Sequence, residues 1–128
     1  HGLERYVTLA GARPHGELPL WYSAADLFIL LSSREGSPNV VLESLACGTP
    51  VVATGVGSIP DDPADPGFGL VLRERSAPAA ASGVRKALAS RWDRGRIRRA
   101  IESRSWCRTA RRIASLVETT IEEHANGG

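Results

Sequence analysis

Residues 33–54, SREGSPNVVLESLACGTPVVAT, decide how the rest of the chain is read. They form a loop, a capped helix and a buried strand in quick succession. Ser37 has the side chain of an N-cap, and Pro38 stands at the first helical position, where its missing N–H leaves nothing unsatisfied. Val40, Val41, Leu42, Leu45 and Ala46 give the helix a wide apolar face. Gly48 falls where a helix-terminating glycine belongs, and Pro50 blocks any continuation. Val51, Val52 and Ala53 then make a short apolar run of the kind that fills a parallel sheet.

Two acids punctuate this unit. Glu35 lies in the loop before the helix, and Glu43 lies within it, four positions after Asn39 and on the same face. The first-turn amides around Ser37 to Val40 have no intrahelical acceptor, and with the helix dipole they make an anion site. At about 1.5 Å per residue, Glu43 sits roughly one turn further along the axis. That spacing suits an extended ligand with an anionic centre and a polar group on each side, the layout of a nucleotide diphosphate sugar. Two glutamates before and on a helix also occur by chance, so the residues alone leave both readings open.

At 128 residues the chain suffices for one domain with a single core. Its 42% hydrophobic and 23% charged residues are those of an ordinary globular protein. No apolar run approaches the length of a bilayer span. Cys47 and Cys107 fall in predicted helices without metal-ligand spacing, so a reducing, cytoplasmic location is expected. The net charge of +2 is unevenly spread: between Arg85 and Arg112 only Asp93 and Glu102 are acidic. This basic stretch is a candidate for peripheral contact with the inner face of a membrane, although its arginine-rich composition reads first as a solvated helix face. With 5% aromatic residues there are few platforms for stacking bases, and nucleic acid is not an expected partner. There is no GxxxxGK phosphate loop, and no strand leads into a GxGxxG turn, which disfavours a dinucleotide-dependent enzyme.

Around the central unit, residues 6–10 alternate and are apolar enough for a strand. Leu18, Trp21, Tyr22 and Ala25 mark a short helix, Leu27-Phe28-Ile29-Leu30-Leu31 a buried strand, and Leu70-Val71-Leu72 a fourth strand. Ser76 caps a helix reaching about Arg91, with Ala80, Val84, Ala87 and Leu88 facing inward. A second helix covers roughly residues 93–104 through Ile97, Ala100 and Ile101. Ser105 caps a third, with Trp106, Ala110, Ile113, Leu116, Val117, Thr120 and Ile121 on one side. Strands alternating with helices predict an α/β fold with an open parallel sheet of about four strands and flanking helices. Ligands bind beyond the carboxyl ends of such strands, where residues 13–16, 32–37 and 54–60 are expected to converge on one crevice.

The string from Glu35 to Thr54, with its Asn39, its Ala46-Cys47-Gly48 turn and the following Pro50-Val51-Val52, resembles the signature of the group-1 (family 4) retaining glycosyltransferases of GT-B fold. Trp21-Tyr22-Ser23-Ala24-Ala25-Asp26 is similar to that family's Tyr-x-x-Ala-Asp helix end. Gly57-Ser58-Ile59-Pro60 is similar to its Gly-Gly-x-Pro-Glu turn, with Asp61 in place of the glutamate. Residues 6–11 resemble its third strand, Gly69-Leu70-Val71-Leu72 its closing strand, and Trp106 the aromatic that opens the last helix.

The resemblance implies one truncated nucleotide-sugar-binding domain over residues 1–128, with a partial Rossmann-like sheet. It would be the later part of a GT-B C-terminal domain, lacking the acceptor-binding N-terminal domain and the first strands of the donor domain. It also implies transfer of a sugar from a UDP-, GDP- or ADP-sugar to an acceptor hydroxyl on a glycan, lipid or small molecule. Configuration would be retained, and no metal or other cofactor would be used. Glu35 is the implied catalytic residue, bonding hydroxyls of the donor sugar. Gly36, Ser37, Pro38, Asn39 and Val40 would hold sugar and diphosphate through the backbone, Glu43 would accept from the ribose hydroxyls, and Arg13 would border the base. Ser58 is implied near the sugar, whereas His1, His15 and His124 match no catalytic histidine of the family.

The absent strands carry the family's diphosphate-clamping Arg and Lys, so the isolated chain is expected to be inactive. In the family order 3-2-1-4-5-6 the strand at residues 6–10 is expected to pair directly with the one at residues 27–31, to stay detached, or to await partner sequence. The competing reading is a non-catalytic nucleotide-sugar-binding module that regulates or completes another chain. Upstream coding sequence with a glycine-rich acceptor loop and an Arg/Lys pair would favour the enzyme, and a genuine initiation codon at the start would favour the module.

Overall fold

The computed structural model describes residues 2–58, 67–102 and 106–126. After a 3-10 turn at His15–Glu17, the elements run α1 (Leu18–Ala24), β1 (Phe28–Leu30), α2 (Asn39–Ala46), β2 (Val51–Thr54), β3 (Gly69–Leu72), α3 (Ala77–Ala89), α4 (Arg94–Glu102) and α5 (Trp106–Asn126). The sheet is parallel in the order β1-β2-β3, with Phe28 opposite Val51 and Val51 opposite Gly69. All four residues of β2 are buried. The two-residue period of a strand sends Val51 and Ala53 to one face and Val52 to the other. The first face packs against Leu45 of α2 and Ile97 and Ile101 of α4, and the second clusters with Leu72 of β3 and Ala87 of α3.

The turn from α2 into β2 follows directly from its sequence. Gly48 adopts φ +76°, its N–H donates to Leu45 O, and the N–H of Thr49 donates to Ser44 O. These are the two bonds of a Schellman ending, and they satisfy carbonyls the helix would otherwise leave open. The opposite end differs from expectation. The helix starts at Asn39, Pro38 is its N-cap, and no side chain caps it. Ser37 stands one residue too early to reach the first-turn amides, and its hydroxyl accepts a hydrogen bond from Ser58 instead.

The sheet has three strands rather than about four. Residues 6–10 lie outside it: Tyr6 N and Val7 N both donate to Leu3 O, turning the chain, and Leu9 is 93% exposed. Of the arrangements expected for this segment, the detached one is observed. β propensity stabilises a strand only where its side chains pack against a neighbouring one, and no described strand lies alongside. β1 is consequently an edge strand, and Ile29 and Leu31 are exposed rather than buried.

The helices after β3 form as expected, with Ser76 Oγ accepting from Ala79 N at the start of α3. Their faces differ in detail: Leu88 of α3 and Ala46 of α2 are exposed, and so are Ile113, Leu116, Val117 and Ile121 along α5. In the basic stretch Arg94 departs from a solvated face by donating to Ser23 O and Ala25 O, whereas Arg98 pairs with Glu102 at 3.6 Å between exposed side chains. No helix among the described residues is long and apolar enough to cross a membrane. The expected Ile59-Pro60-Asp61 part of the turn and the Ser105 cap lie outside the described residues.

Ile97 is fully buried between α2 and the sheet. Ile97→Ala should cost about 2–5 kcal/mol through lost burial and an unfilled cavity. The exposed Leu88→Ala should cost roughly 0.5 kcal/mol or less. Urea unfolding of the two variants checks this.

Candidate functional site

The loop after β1 and the loop after β2 are pinned to each other. Ser58 N donates to Gly36 O at 2.8 Å, and Ser58 Oγ donates to Ser37 Oγ at 3.3 Å. Gly57, at φ +62°, allows this approach, because a Cβ there would strike the carbonyls of Glu35 and Gly36. The chain thus commits the Gly36 carbonyl to Ser58 while the amides of Gly36, Ser37, Asn39 and Val40 donate to no described residue. Pro38 has no amide, and Val41 N is already taken by Pro38 O at 3.1 Å. The result is a row of unpaired donors at the positive end of α2. Gly36, Ser37 and Asn39 are exposed, Pro38 is buried, and Val40 is half-buried. Glu35 is half-buried beside this row, and no described side chain pairs with its carboxylate.

Beneath the pinned loops an open cavity of about 260 Å³ lies at the carboxyl ends of the strands. Ser32 and Ser33, then Thr54, Gly55 and Val56, meet there with Leu72, Arg73 and Arg75. Arg75 Nε donates to Leu31 O at 2.8 Å, and Thr54 Oγ1 donates to Ser32 O at 2.6 Å, so both lining side chains are tied to the loop after β1. Two of the three expected loops therefore converge. The third, residues 13–16, does not line the cavity and instead approaches α2 near Glu43.

Glu43 is held from two sides. Tyr22 of α1 donates its hydroxyl to Glu43 Oε2 at 3.1 Å, and His15 Nε2 lies 3.7 Å from Glu43 Oε1. Tyr22 is buried, its ring meets Phe28 edge-on at 5.5 Å, and its carbonyl accepts from Thr49 Oγ1 at 2.6 Å. Burial, then the hydrogen bond to Glu43, then the negative charge of that carboxylate push the Tyr22 phenol up to about 12. Tyr22 therefore keeps its proton near neutral pH and donates a hydrogen bond to Glu43 Oε2. Arg13 lies apart from Glu43's direct contacts, with its guanidinium over the exposed Trp21 ring at 5.3 Å from the centroid.

Tyr22 and His15 are contacts of Glu43 that sequence reasoning missed. Tyr22 reads as a core position of a short helix, and His15 as a loop residue. The legible signal was a tyrosine on an apolar face, since a buried phenol needs a hydrogen-bond partner. The missing information was which acid would stand opposite.

Folding raises the proton affinity of Tyr22. The stability this contributes is fully present below the ordinary phenol value of about 10 and is lost as pH rises towards about 12. Titration by tyrosine absorbance should show a component at about 12 that Tyr22→Phe removes, and the variant should lose less stability than the parent across that window. Gly57→Ala should cost about 1–3 kcal/mol in thermal unfolding, because it combines a strained φ with a collision against backbone.

The family described as "Glycosyl transferases group 1" matches residues 1–118. The chain is 34% identical to the D-inositol 3-phosphate glycosyltransferase of Corynebacterium glutamicum across 98% of its own length and 31% of that protein's. It is 33% identical to the one from Frankia alni across 88% of its own length and 28% of the relative's. With the enzyme from Corynebacterium aurimucosum the identity is 42%, over 59% of this chain and 18% of the other. The chain thus spans less than a third of each of these relatives. With residues 1–118 matched, the chain belongs to the group 1 glycosyl transferases.

Proposed function

We propose that this chain is the donor-binding part of a retaining glycosyltransferase, which moves a sugar from a nucleotide diphosphate sugar to an acceptor hydroxyl. The observation that carries this reading is the row of amides at Gly36, Ser37, Asn39 and Val40 that donate to no described residue, with the Glu35 carboxylate, unpaired among the described residues, on one side and Glu43 further along α2. Amides and helix dipole suit a diphosphate. Carboxylates beyond it suit hydroxyls, to which they make charge-assisted bonds.

In this reading Glu35 accepts from hydroxyls of the donor sugar, and Glu43 accepts from the ribose hydroxyls. The bond between the anomeric carbon and the diphosphate breaks, and a bond to the acceptor oxygen forms on the same face. The acceptor's proton passes to the donor phosphate. Charge gathers on the departing diphosphate, and donors already aimed at it stabilise that charge without reorganising. No metal is needed for any of these steps. UDP-, GDP- and ADP-sugars are the donors to try, and D-inositol 3-phosphate, the compound in the relatives' name, is the first acceptor. Residues 1–128 alone are proposed to bind donor without turning it over.

Calorimetric titration separates the two acids. Glu43→Ala should weaken nucleotide and nucleotide sugar alike, by about 10- to 100-fold for a lost charged hydrogen bond. Glu35→Ala should weaken only the nucleotide sugar. Equal losses for both ligands in both variants would refute the division of roles, and turnover by the 128-residue chain would refute its inactivity.

A further inference from the structure

We propose that Tyr22 is a positioning residue for nucleotide binding: its hydroxyl fixes one oxygen of the Glu43 carboxylate and thereby presents the other to the ribose. This rests on the reading of Glu43 as the ribose acceptor.

A glutamate on a helix has three side-chain torsions, and freezing them on binding costs conformational entropy. At Glu43 much of that ordering is already done. Oε2 is engaged by the Tyr22 hydroxyl at 3.1 Å, and Oε1 faces the loop, 3.7 Å from His15 Nε2. The two partners differ in how firmly they are held. The His15 side chain is 84% exposed, so an incoming ligand can displace it. Tyr22 is buried, with its ring against Phe28 and its backbone carbonyl tied to Thr49 Oγ1. The polarity is also fixed, since a carboxylate only accepts and a neutral phenol has a single proton to give. The Tyr22 bond to Oε2 therefore fixes how the carboxylate is turned, and Oε1, whose described neighbour is the displaceable His15, is the oxygen presented to a vicinal diol. Phenylalanine at position 22 would fill the same space and leave the carboxylate free to turn.

The test compares binding of the tightest nucleoside diphosphate among UDP, GDP and ADP with that of its 2′,3′-dideoxy counterpart. Tyr22→Phe should weaken the parent nucleotide about fivefold, the loss of one net hydrogen bond's worth of order. It should leave the dideoxy nucleotide unchanged and have no further effect in a Glu43→Ala background. A merely structural role would weaken both nucleotides equally, and that result overturns the proposal. So does an unchanged affinity for the parent in Tyr22→Phe when Glu43→Ala weakens it. A chain that binds no nucleotide, or whose affinity Glu43→Ala leaves untouched, overturns the ribose reading itself. Where Phe disturbs folding, 3-fluorotyrosine at position 22 keeps ring and hydroxyl but strengthens the donor. It must then shift the affinity for the parent nucleotide alone, and equal shifts for both nucleotides overturn the proposal.

Discussion

The turn between α2 and β2 is the constraint on which the rest of the structure depends. Gly48 holds a left-handed conformation, and a Cβ there would come within 2.7 Å of Arg94 O. Only glycine satisfies both the torsion and the space. The next residue, Thr49, is fully buried and ties α1 and α4 to the turn through one hydroxyl. Its Oγ1 donates to Tyr22 O at 2.6 Å and accepts from Arg94 Nη2 at 2.7 Å. The same guanidinium donates to Ser23 O and Ala25 O at the end of α1, where a cation also complements the helix dipole. One turn thus sets α1, α2 and α4 against the sheet and brings the Tyr22 hydroxyl to Glu43.

The other end of α2 depends on a different close approach. Gly57 lets the loop after β2 touch the backbone of Glu35 and Gly36, and Ser58 then occupies the Gly36 carbonyl. Buried backbone groups must be paired. Here the Gly36 carbonyl and the Ser37 hydroxyl are paired with Ser58, while the amides of Gly36, Ser37, Asn39 and Val40 donate to no described residue. That asymmetry comes from backbone geometry rather than from a basic side chain, and it is what the proposed diphosphate role rests on. The cavity below adds Arg73 and Arg75, of which Arg75 is engaged with Leu31 O.

Where sequence reasoning failed, it failed at long range. Residues 6–10 have a strand's composition, yet the sheet offers them no described partner, and all but the half-buried Ala10 remain exposed. Leu88 has helical spacing with Ala80 and Val84, but the surface that α3 covers ends before reaching it. The apolar side of α5 is real as a pattern and unburied as a fact. Periodicity records which residues share a face. It does not record whether anything stands opposite.

What the sequence determined by itself is local and backbone-driven. Glycine at 48, proline at 50 and the Val51-Val52-Ala53 run make the helix, its end and the buried strand almost unavoidable, because each acts through torsion or burial within a few residues. The same stretch placed Glu35 before the helix and Glu43 upon it. The tertiary structure decided which groups those acids meet. Glu35 is left without a described partner, whereas Glu43 is held by a tyrosine 21 residues away. It also turned Ser37 from an expected cap into a partner of Ser58, again 21 residues away. The physical reason is one of range. Torsional preference is written residue by residue, but a hydrogen bond between elements depends on where the packed core has set them.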